Sequence, residues 1–297
     1  MTRHLRTLII VAGAAVLVLV VATLAYAFTR GGGSDLPKFP GRIAVRAGCG
    51  VQHMYIDATD KRTMCLEGIF DDFSVSRNGE KLAWDTRDNA ILASGIDGLA
   101  PATMSVPEGF NVAPSLSPDA KRIAFLHSAR DDGRYDIWNM SLSVDDAEQL
   151  TNTRNVSDVA WSPTGDWIAY VQNWNEDTEE GQLSMVRPDG SDAHTIGVDG
   201  DAPDWSPDGK HLVYVHKESL WVADSDGENA HQVIADGHSP AWSRDGKMLA
   251  FLRTEKCSRN LCPERLMRAF SSGDEPQPVG PVYPDERHVA WLPDPFE

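Results

Sequence analysis

The residues best able to do chemistry precede a segment that the chain repeats. Trp205 to Tyr214 reads Trp-Ser-Pro-Asp-Gly-Lys-His-Leu-Val-Tyr, and related segments begin at Val75, Leu116, Trp161, Trp242 and, truncated, Trp291. Polar residues recur three and four positions before these starts: Asp71, Asp72, Ser157, Asp158, Asp201, His238, Ser239, Arg287 and His288. If the repeats share one structure, these residues line one mainly acidic site with one cationic sector. The site could bind a peptide terminus, a cationic group or a metal, or its residues could be merely solvated loop ends.

A second group of candidates lies in irregular insertions between the regular segments. The insertions span residues 128–135, 172–181 and 253–264, and the second carries a run of acidic residues. Because variable loops on a regular scaffold often carry binding residues, we predict that these loops contact a partner. The candidates are Trp174, Glu176, Asp177, Glu179, Glu180, Arg253, Lys256 and Arg259.

The four cysteines predict disulfide bonds. They are Cys49, Cys65, Cys257 and Cys262. In an exported chain an even number of cysteines favours two disulfides, and Cys257 and Cys262 are close enough in sequence to close one loop. Cys49 would then pair with Cys65, although Cys49 with Cys257 is an alternative if the two parts of the chain that carry them are neighbours in the fold. Neither sequential pair has the Cys-x-x-Cys spacing, so metal binding or redox catalysis is not predicted.

Catalytic motifs are missing from the sequence. It contains no Gly-x-Ser-x-Gly pentapeptide, which carries the nucleophile of propeller-bearing serine peptidases. Asp224-x-Asp226-Gly227 begins like a calcium loop but lacks the later ligands, so it is interpreted as a hairpin turn. We therefore assign no catalytic residue, no cofactor and no metal ligand, and we favour a binding protein over an enzyme.

The repeated segment predicts strand, turn and strand. Its starts are 41, 45, 44, 37 and 49 residues apart, which is about the length of one propeller blade. In the turn, Pro presets φ, Asp or Ser bonds nearby amides, and Gly accepts a positive φ. A strand follows that ends in a small and then an aromatic residue, as in Ala83-Trp84 and Ala169-Tyr170.

The two ends of the repeat region complete each other. The first unit has three predicted strands, at residues 42–45, 53–56 and 63–66, but lacks the strand that precedes the turn in every later unit. The last unit, His288 to Asp294, supplies only that strand. Five complete blades, beginning near Asp72, Pro114, Val159, Pro203 and Pro240, would join one blade built from both ends. The predicted fold is an all-β, six-bladed β-propeller closed by strands from both termini, which leaves no open edge.

The amino-terminal region predicts a membrane anchor. Residues 7–29 are 23 uncharged, mostly apolar residues, long enough as a helix to span a bilayer. They would be a transmembrane signal-anchor between a cytoplasmic tail (1–6) and a tether (30–40), with a propeller (41–297) on the extracytoplasmic side, since basic residues are denser before the segment. The alternative is a cleaved signal peptide ending at Ala27, which would leave a secreted or periplasmic protein.

The charge of the chain excludes one class of partner. The net charge is -17, and the first thirty residues contain no Asp or Glu. A strongly negative surface repels polyanions, so nucleic-acid binding is not predicted.

These repeats resemble a known family. Trp-Ser-Pro-Asp-Gly-Lys, the aliphatic-Ala-aromatic strand and the Asp224-Ser225-Asp226-Gly227 hairpin are similar to the bacterial TolB-like β-propeller repeat, over about residues 41–297. TolB itself carries an additional α/β domain before its propeller, and this sequence has an apolar segment and a tether there. Departures at Arg77, Asp119-Ala120, Thr164 and Arg244-Asp245 are interpreted as ordinary degeneration of the repeat.

The resemblance implies a fold more strongly than a function. The favoured hypothesis is a membrane-anchored, monomeric scaffold that binds an envelope protein or peptide through its variable loop face. The alternatives are a hydrolase or lyase acting on a saccharide or lactone, with channel Asp and His residues, and a sensor of a small ligand or metal at the channel mouth.

Overall fold

β-Strands are the only regular elements in the part of the chain that the structure describes. The structure, a computed structural model, describes residues 42–47, 50–55, 60–66, 68–104, 106, 108–130, 132–143, 146–175, 180–257, 262–283 and 288–292. All of them belong to a unit formed by residues 40–297. The prediction of an all-β fold is therefore confirmed.

The strands form five antiparallel sheets. The first four-stranded sheet contains β1 (Arg42–Ala47), β2 (Gly50–Tyr55), β3 (Arg62–Cys65) and β23 (Val289–Leu292). The second contains β4 (Ile69–Val75), β5 (Lys81–Thr86), β6 (Ile91–Gly95) and β7 (Ala102–Met104), and the third β8 (Phe110–Leu116), β9 (Arg122–Ser128), β10 (Asp136–Ser141) and β11 (Glu148–Gln149). A seven-stranded sheet contains β12 (Val156–Trp161), β13 (Ile168–Asn175), β14 (Glu180–Val186), β15 (His194–Trp205), β16 (His211–His216), β17 (Ser219–Asp224) and β18 (His231–Ile234). The last contains β19 (His238–Trp242), β20 (Met248–Thr254), β21 (Glu264–Phe270) and β22 (Gln277–Tyr283).

The prediction of six separate blades is wrong. The described strands form four separate four-stranded blades and one seven-stranded sheet. The cause is β15, which pairs with β14 through its first residues and with β16 through its last. A Cβ at Gly200 would lie 2.5 Å from the carbonyl oxygen of Val215, so glycine lets the strand pass this point without a loop.

The predicted closure by both ends of the propeller is present. β1 pairs with β23 along four residues, from Arg42 opposite Leu292 to Val45 opposite Val289. The strand predictions at 42–45, 53–56 and 63–66 agree with β1, β2 and β3 within a few residues.

The expected transmembrane helix is not supported. The proposed span, residues 7–29, lies outside the described residues. Within them, no helix has both the length and the apolar character needed to cross a membrane.

The repeated turn forms as its residue types predict. In the unit of Trp205, Ser206 Oγ donates to Asp208 Oδ1 (2.7 Å) and accepts the backbone N–H of His211 (2.9 Å). The backbone N–H of Gly209, at φ +71°, donates to the carbonyl of Ser206 at 2.9 Å. The same serine-to-backbone bond recurs at Ser76, Ser117, Ser162 and Ser243.

Two alternative hydrogen bonds, which we call latches, join the strand that begins one unit to the strand that begins the next. Where the residue before the repeated aromatic position is polar, its side chain accepts the next unit's backbone N–H: Ser74 from Leu116 (3.0 Å), Ser115 from Trp161 (2.9 Å) and Asp204 from Trp242 (2.7 Å). Where that residue is alanine, its carbonyl accepts the next indole: Ala160 from Trp205 (3.1 Å) and Ala241 from Trp291 (3.0 Å). Each latch fixes one strand against its neighbour around a central channel.

Candidate functional site: a channel with two different ends

One cavity of about 370 Å³ is surrounded by β4, β8, β12, β15, β19 and β23. In β4, β8, β12 and β19 the connector between units comes first and the repeated turn last, whereas β15 reaches the connector side partway along, after its pairing with β14. We call the first opening the mouth, lined by Asp72, Asp158, Asp201 and His288, and the second the turn end, lined by Arg77, Pro118, Pro163 and Arg244. The candidate residues Asp72, Asp158, Asp201 and His288, predicted before the repeated segments, therefore lie in one cavity.

Local backbone irregularity directs the mouth residues into the channel. The ladder shifts register between Val112 and Ser115, between Asp201 and Asp204, and between His238 and Ala241. At these shifts Ala113, Ala202 and Ser239 have φ values of 50°, 47° and 49°. Further shifts lie beside Asp72, between Ile69 and Phe73, and beside Asp158, between Val156 and Asp158. Because a bulge re-aims the side chains beside it, these irregularities accompany the approach of Asp72, Asp158 and Asp201 to one cavity.

The aspartates of the mouth hold their protons unusually well. Burial raises the pKa of Asp158 well above its usual range, and the charges of Asp201 and Asp72 add to that effect. Burial likewise raises the pKa of Asp201 to about 6, although the hydrogen bond from the Ala202 backbone lowers it. These raised pKa values reflect burial and the mutual repulsion of the carboxylates, and a cation placed among them would relieve that repulsion.

His288 is the basic residue of the mouth among the described residues. Its Nδ1 lies 3.4 Å from Asp72 Oδ1, and its ring contacts Phe73 edge-on with centroids 4.9 Å apart. Burial alone would lower the pKa of His288, but the hydrogen bond to Asp72 and the charges of Asp72, Asp158 and Asp204 raise it overall. His288 directly precedes β23 and Asp72 lies in β4, so the pair joins the first sheet to the second.

Asp204 lies in the channel between the two ends. It lines the same cavity and accepts the backbone N–H of Trp242. Burial raises its pKa to about 6, opposed by that bond, by the Trp205 backbone and by the charges of His288 and Arg77. Sequence reasoning missed Asp204, although Ser74 and Ser115 at the equivalent position show that polar residues recur there.

Other predicted residues do not join this cavity. His238 is bound by Glu264 Oε2 at 3.0 Å and by Ser239 Oγ at 3.2 Å, and it does not line the channel. Asp71 lies in β4, where only its backbone is described, and Arg287 lies outside the described residues.

The predicted partner loops are described only in part. Arg253 forms an ion pair with Asp236 (3.3 Å), and Lys256 is exposed. Trp174 and Glu180 lie in β13 and β14, where their side chains are not described. Glu176, Asp177, Glu179 and Arg259 lie outside the described residues.

One of these loops is closed by the predicted Cys257–Cys262 disulfide, which excludes Cys49 with Cys257. Cys65 is also disulfide-bonded, and Cys49 lies outside the described residues.

A groove continues from the mouth across the loop face. Its volume is about 880 Å³, and it shares Asp72, Ala113 and Ser157 with the channel. Its outer wall includes Tyr135 and the ion pair of Arg154 with Asp132, 2.7 Å apart. Within the described residues, no group of three or more His, Cys, Asp or Glu side chains is arranged to hold a metal ion.

Antiparallel sheets around a polar channel define an all-β propeller with a central site. The profile of the TolB beta propeller domain matches residues 72–261, well over half of the 297 residues. The chain belongs to the TolB beta propeller domain family, which confirms the resemblance found in its repeats.

Solved structures share this fold at low sequence identity. TolB from Acinetobacter baumannii superposes with a TM-score of 0.69 and 19% identity, covering 86% of this chain and 68% of its own. A putative TolB from Agrobacterium tumefaciens gives 0.67 and 15% identity, covering 86% of this chain and 99% of its own. At such identities the likeness concerns the fold alone.

A curated relative is an uncharacterized protein of Agrobacterium fabrum, 30% identical over 141 residues, or 42% of this chain and 46% of the relative. The chain spans about half or less of the length of the curated relatives it matches.

Proposed function

We propose that the protein is an extracytoplasmic binding scaffold that receives a cationic part of an envelope protein or peptide at the channel mouth. The observation that carries this proposal is the convergence of Asp72, Asp158 and Asp201 on the channel mouth, where the described basic residue, His288, is already paired. A lysine side chain or a free amino group would relieve the repulsion among these carboxyls. The partner's chemistry therefore follows from the charge that the mouth lacks.

The groove beside the mouth supports a partner larger than one group. The groove is lined by polar and aromatic residues from Asp72 to Tyr135. An extended segment of the partner could therefore contact the protein along the groove. Such a segment would place its cation in the mouth and its neighbouring residues along the groove. The loops at residues 172–181 and 253–264 remain candidates for further contacts, and the propeller is expected to act as a monomer.

The test is affinity capture from an envelope extract with immobilised full-length protein. Asp72→Asn, Asp158→Asn and Asp201→Asn combined remove charge from the mouth. The matched control combines Asp97→Asn, Asp189→Asn and Asp226→Asn, which removes the same formal charge from exposed hairpin turns. We expect a partner that the wild type and the control retain and the mouth variant loses. Equal retention by the mouth variant would refute the proposal.

One observation favours a second candidate function, catalysis on a saccharide or lactone. Asp201 and Asp204 each have a pKa raised to about 6, close to the value that suits a general acid or base near neutral pH. The test is turnover of a panel of glycosides, uronate oligosaccharides and lactones by the wild type. Activity that Asp204→Asn abolishes without unfolding the protein would favour catalysis, and no turnover across the panel would count against it.

A further inference from the structure

The turn end of the channel carries two arginines where the repeat has proline. The residue after the turn serine is proline at 118, 163 and 207, but arginine at 77 and 244. The turn itself is unchanged, because the N–H of Gly79 donates to the Ser76 carbonyl at 2.8 Å and that of Gly246 to Ser243 at 2.9 Å. Arginine therefore contributes nothing that the backbone of the turn requires.

Both arginines line the same cavity as the mouth residues. Arg244 Nη2 donates to the carbonyl oxygen of Ser76 at 3.2 Å, although 168 residues separate the two in sequence. That bond fixes the Arg244 guanidinium beside the residue that precedes Arg77. Two cations from distant units are thus brought to one end of the channel.

The carboxylates near this end are engaged by their own turns. Asp208 accepts from Ser206 Oγ (2.7 Å) and from the Lys210 backbone (3.1 Å). Asp245 accepts in the same way from Ser243 Oγ (2.7 Å). Asp204 accepts the Trp242 N–H, as described above.

Arg77 is half-buried and lacks a dedicated counter-ion. Across the described part of the chain, no carboxylate lies within ion-pair distance of its guanidinium. Burial lowers the pKa of Arg77, while Asp204 and Asp208 act in the opposite direction from farther away. A partly desolvated cation without a paired anion gains from a ligand that supplies one.

We propose that the turn end binds an oxyanion, a carboxylate or a phosphate, between the guanidinium groups of Arg77 and Arg244. Guanidinium presents a planar fork of N–H donors that matches both anions. The negative net charge of the chain opposes the approach of anions, so the selectivity comes from local contacts inside the channel. The site is separate from the mouth, and its test does not depend on the proposed function.

The experiment is a calorimetric titration of the full-length protein with inorganic phosphate and, separately, with acetate. The informative variant is Arg77→Pro combined with Arg244→Pro, which restores the residue of the other repeats. The control is Lys121→Gln combined with Lys210→Gln, which removes two exposed cations from the same face.

We expect saturable binding of at least one anion by the wild type and the control, with at least about a tenfold weaker affinity in the proline variant. Phosphate binding alone would assign a phosphorylated ligand, and acetate binding alone a carboxylate. No saturable binding by the wild type, or equal affinity in the proline variant, would overturn the proposal. Thermal unfolding of each variant verifies that its fold is intact, and a proline variant that unfolds is replaced by Arg77→Gln with Arg244→Gln.

Discussion

The same strands build both ends of the channel, yet the two ends have opposite chemistry. The mouth gathers Asp72, Asp158 and Asp201 from irregular parts of β4, β12 and β15, whereas the turn end gathers Arg77 and Arg244 from the most regular part of the repeat. A position within the repeat thus determines where a residue lies. The residue that departs from the repeat determines what that place can bind.

The strands around the channel hold its two ends in place, and the substitution Trp291→Ala should weaken their packing. Trp291 is buried, and its indole latches β23 to the Ala241 carbonyl. We expect a loss of about 3–5 kcal/mol in the free energy of unfolding, because a large cavity and an unpaired carbonyl remain. Chemical denaturation monitored by circular dichroism measures this loss. A loss below about 1 kcal/mol would show that β23 is not needed to hold these strands in place.

The dependence of stability on pH should separate the acidic residues of the channel from all other carboxyls. The pKa of Asp204 rises from 3.8 to about 6 on folding, so the folded state binds more protons between these values. Stability therefore falls as pH rises from 4 to 6, by up to about 3 kcal/mol for this residue. The raised pKa of His288 makes stability fall further above its ordinary value of 6.5.

Urea unfolding at pH 4.5 and pH 7.5 measures the dependence. Asp204→Asn should flatten it, because the amide does not titrate. Asp119→Asn serves as the control, since hydrogen bonding by Ser117 lowers the pKa of Asp119 and its effect falls below this pH range. An identical slope in the Asp204 variant would show that this carboxyl is not held protonated by the channel.

The smallest expected effect concerns the turn end. Arg77→Pro should raise the free energy of unfolding by about 0.4–1 kcal/mol, because proline restricts the unfolded chain and the turn already has the required conformation. The gain would appear as a shift of the denaturation midpoint, with Pro207→Arg in the opposite direction as the reciprocal variant. A destabilised Arg77→Pro protein would mean that Arg77 supports the fold. The arginine would then not be kept at the turn end for binding alone.

The repeat predicted the fold well because its residues act locally. Ser206, Asp208 and Gly209 form their turn through contacts within five residues, so sequence alone is enough to place it. The joining of β1 to β23 was also predictable, since each end lacked what the other supplied. The number of separate blades was not, because the repeat pattern does not show that β15 runs from its pairing with β14 into its pairing with β16 without a loop.

The candidate site was predictable only in outline. Asp72, Asp158, Asp201 and His288 were found from their spacing, but the same spacing included His238, which pairs with Glu264 instead. That pairing joins residues 26 apart, from β19 to β21 past the intervening strand β20. Arg77 and Arg244 were interpreted as degenerate repeat positions, because sequence does not show that Arg244 contacts Ser76, the residue before Arg77, across 168 residues.

The unbroken course of β15 gives the ring a built-in seam. Thermal opening has no loop to yield between β14 and β16, so it concentrates where strands meet through side chains alone. The junction of β23 with β4 is such a place, and there His288 meets Asp72. Whatever neutralises Asp72 would loosen the seam, and a partner that contacts both residues would clamp it. We therefore expect partner binding at the proposed mouth site and resistance of the ring to unfolding to increase together.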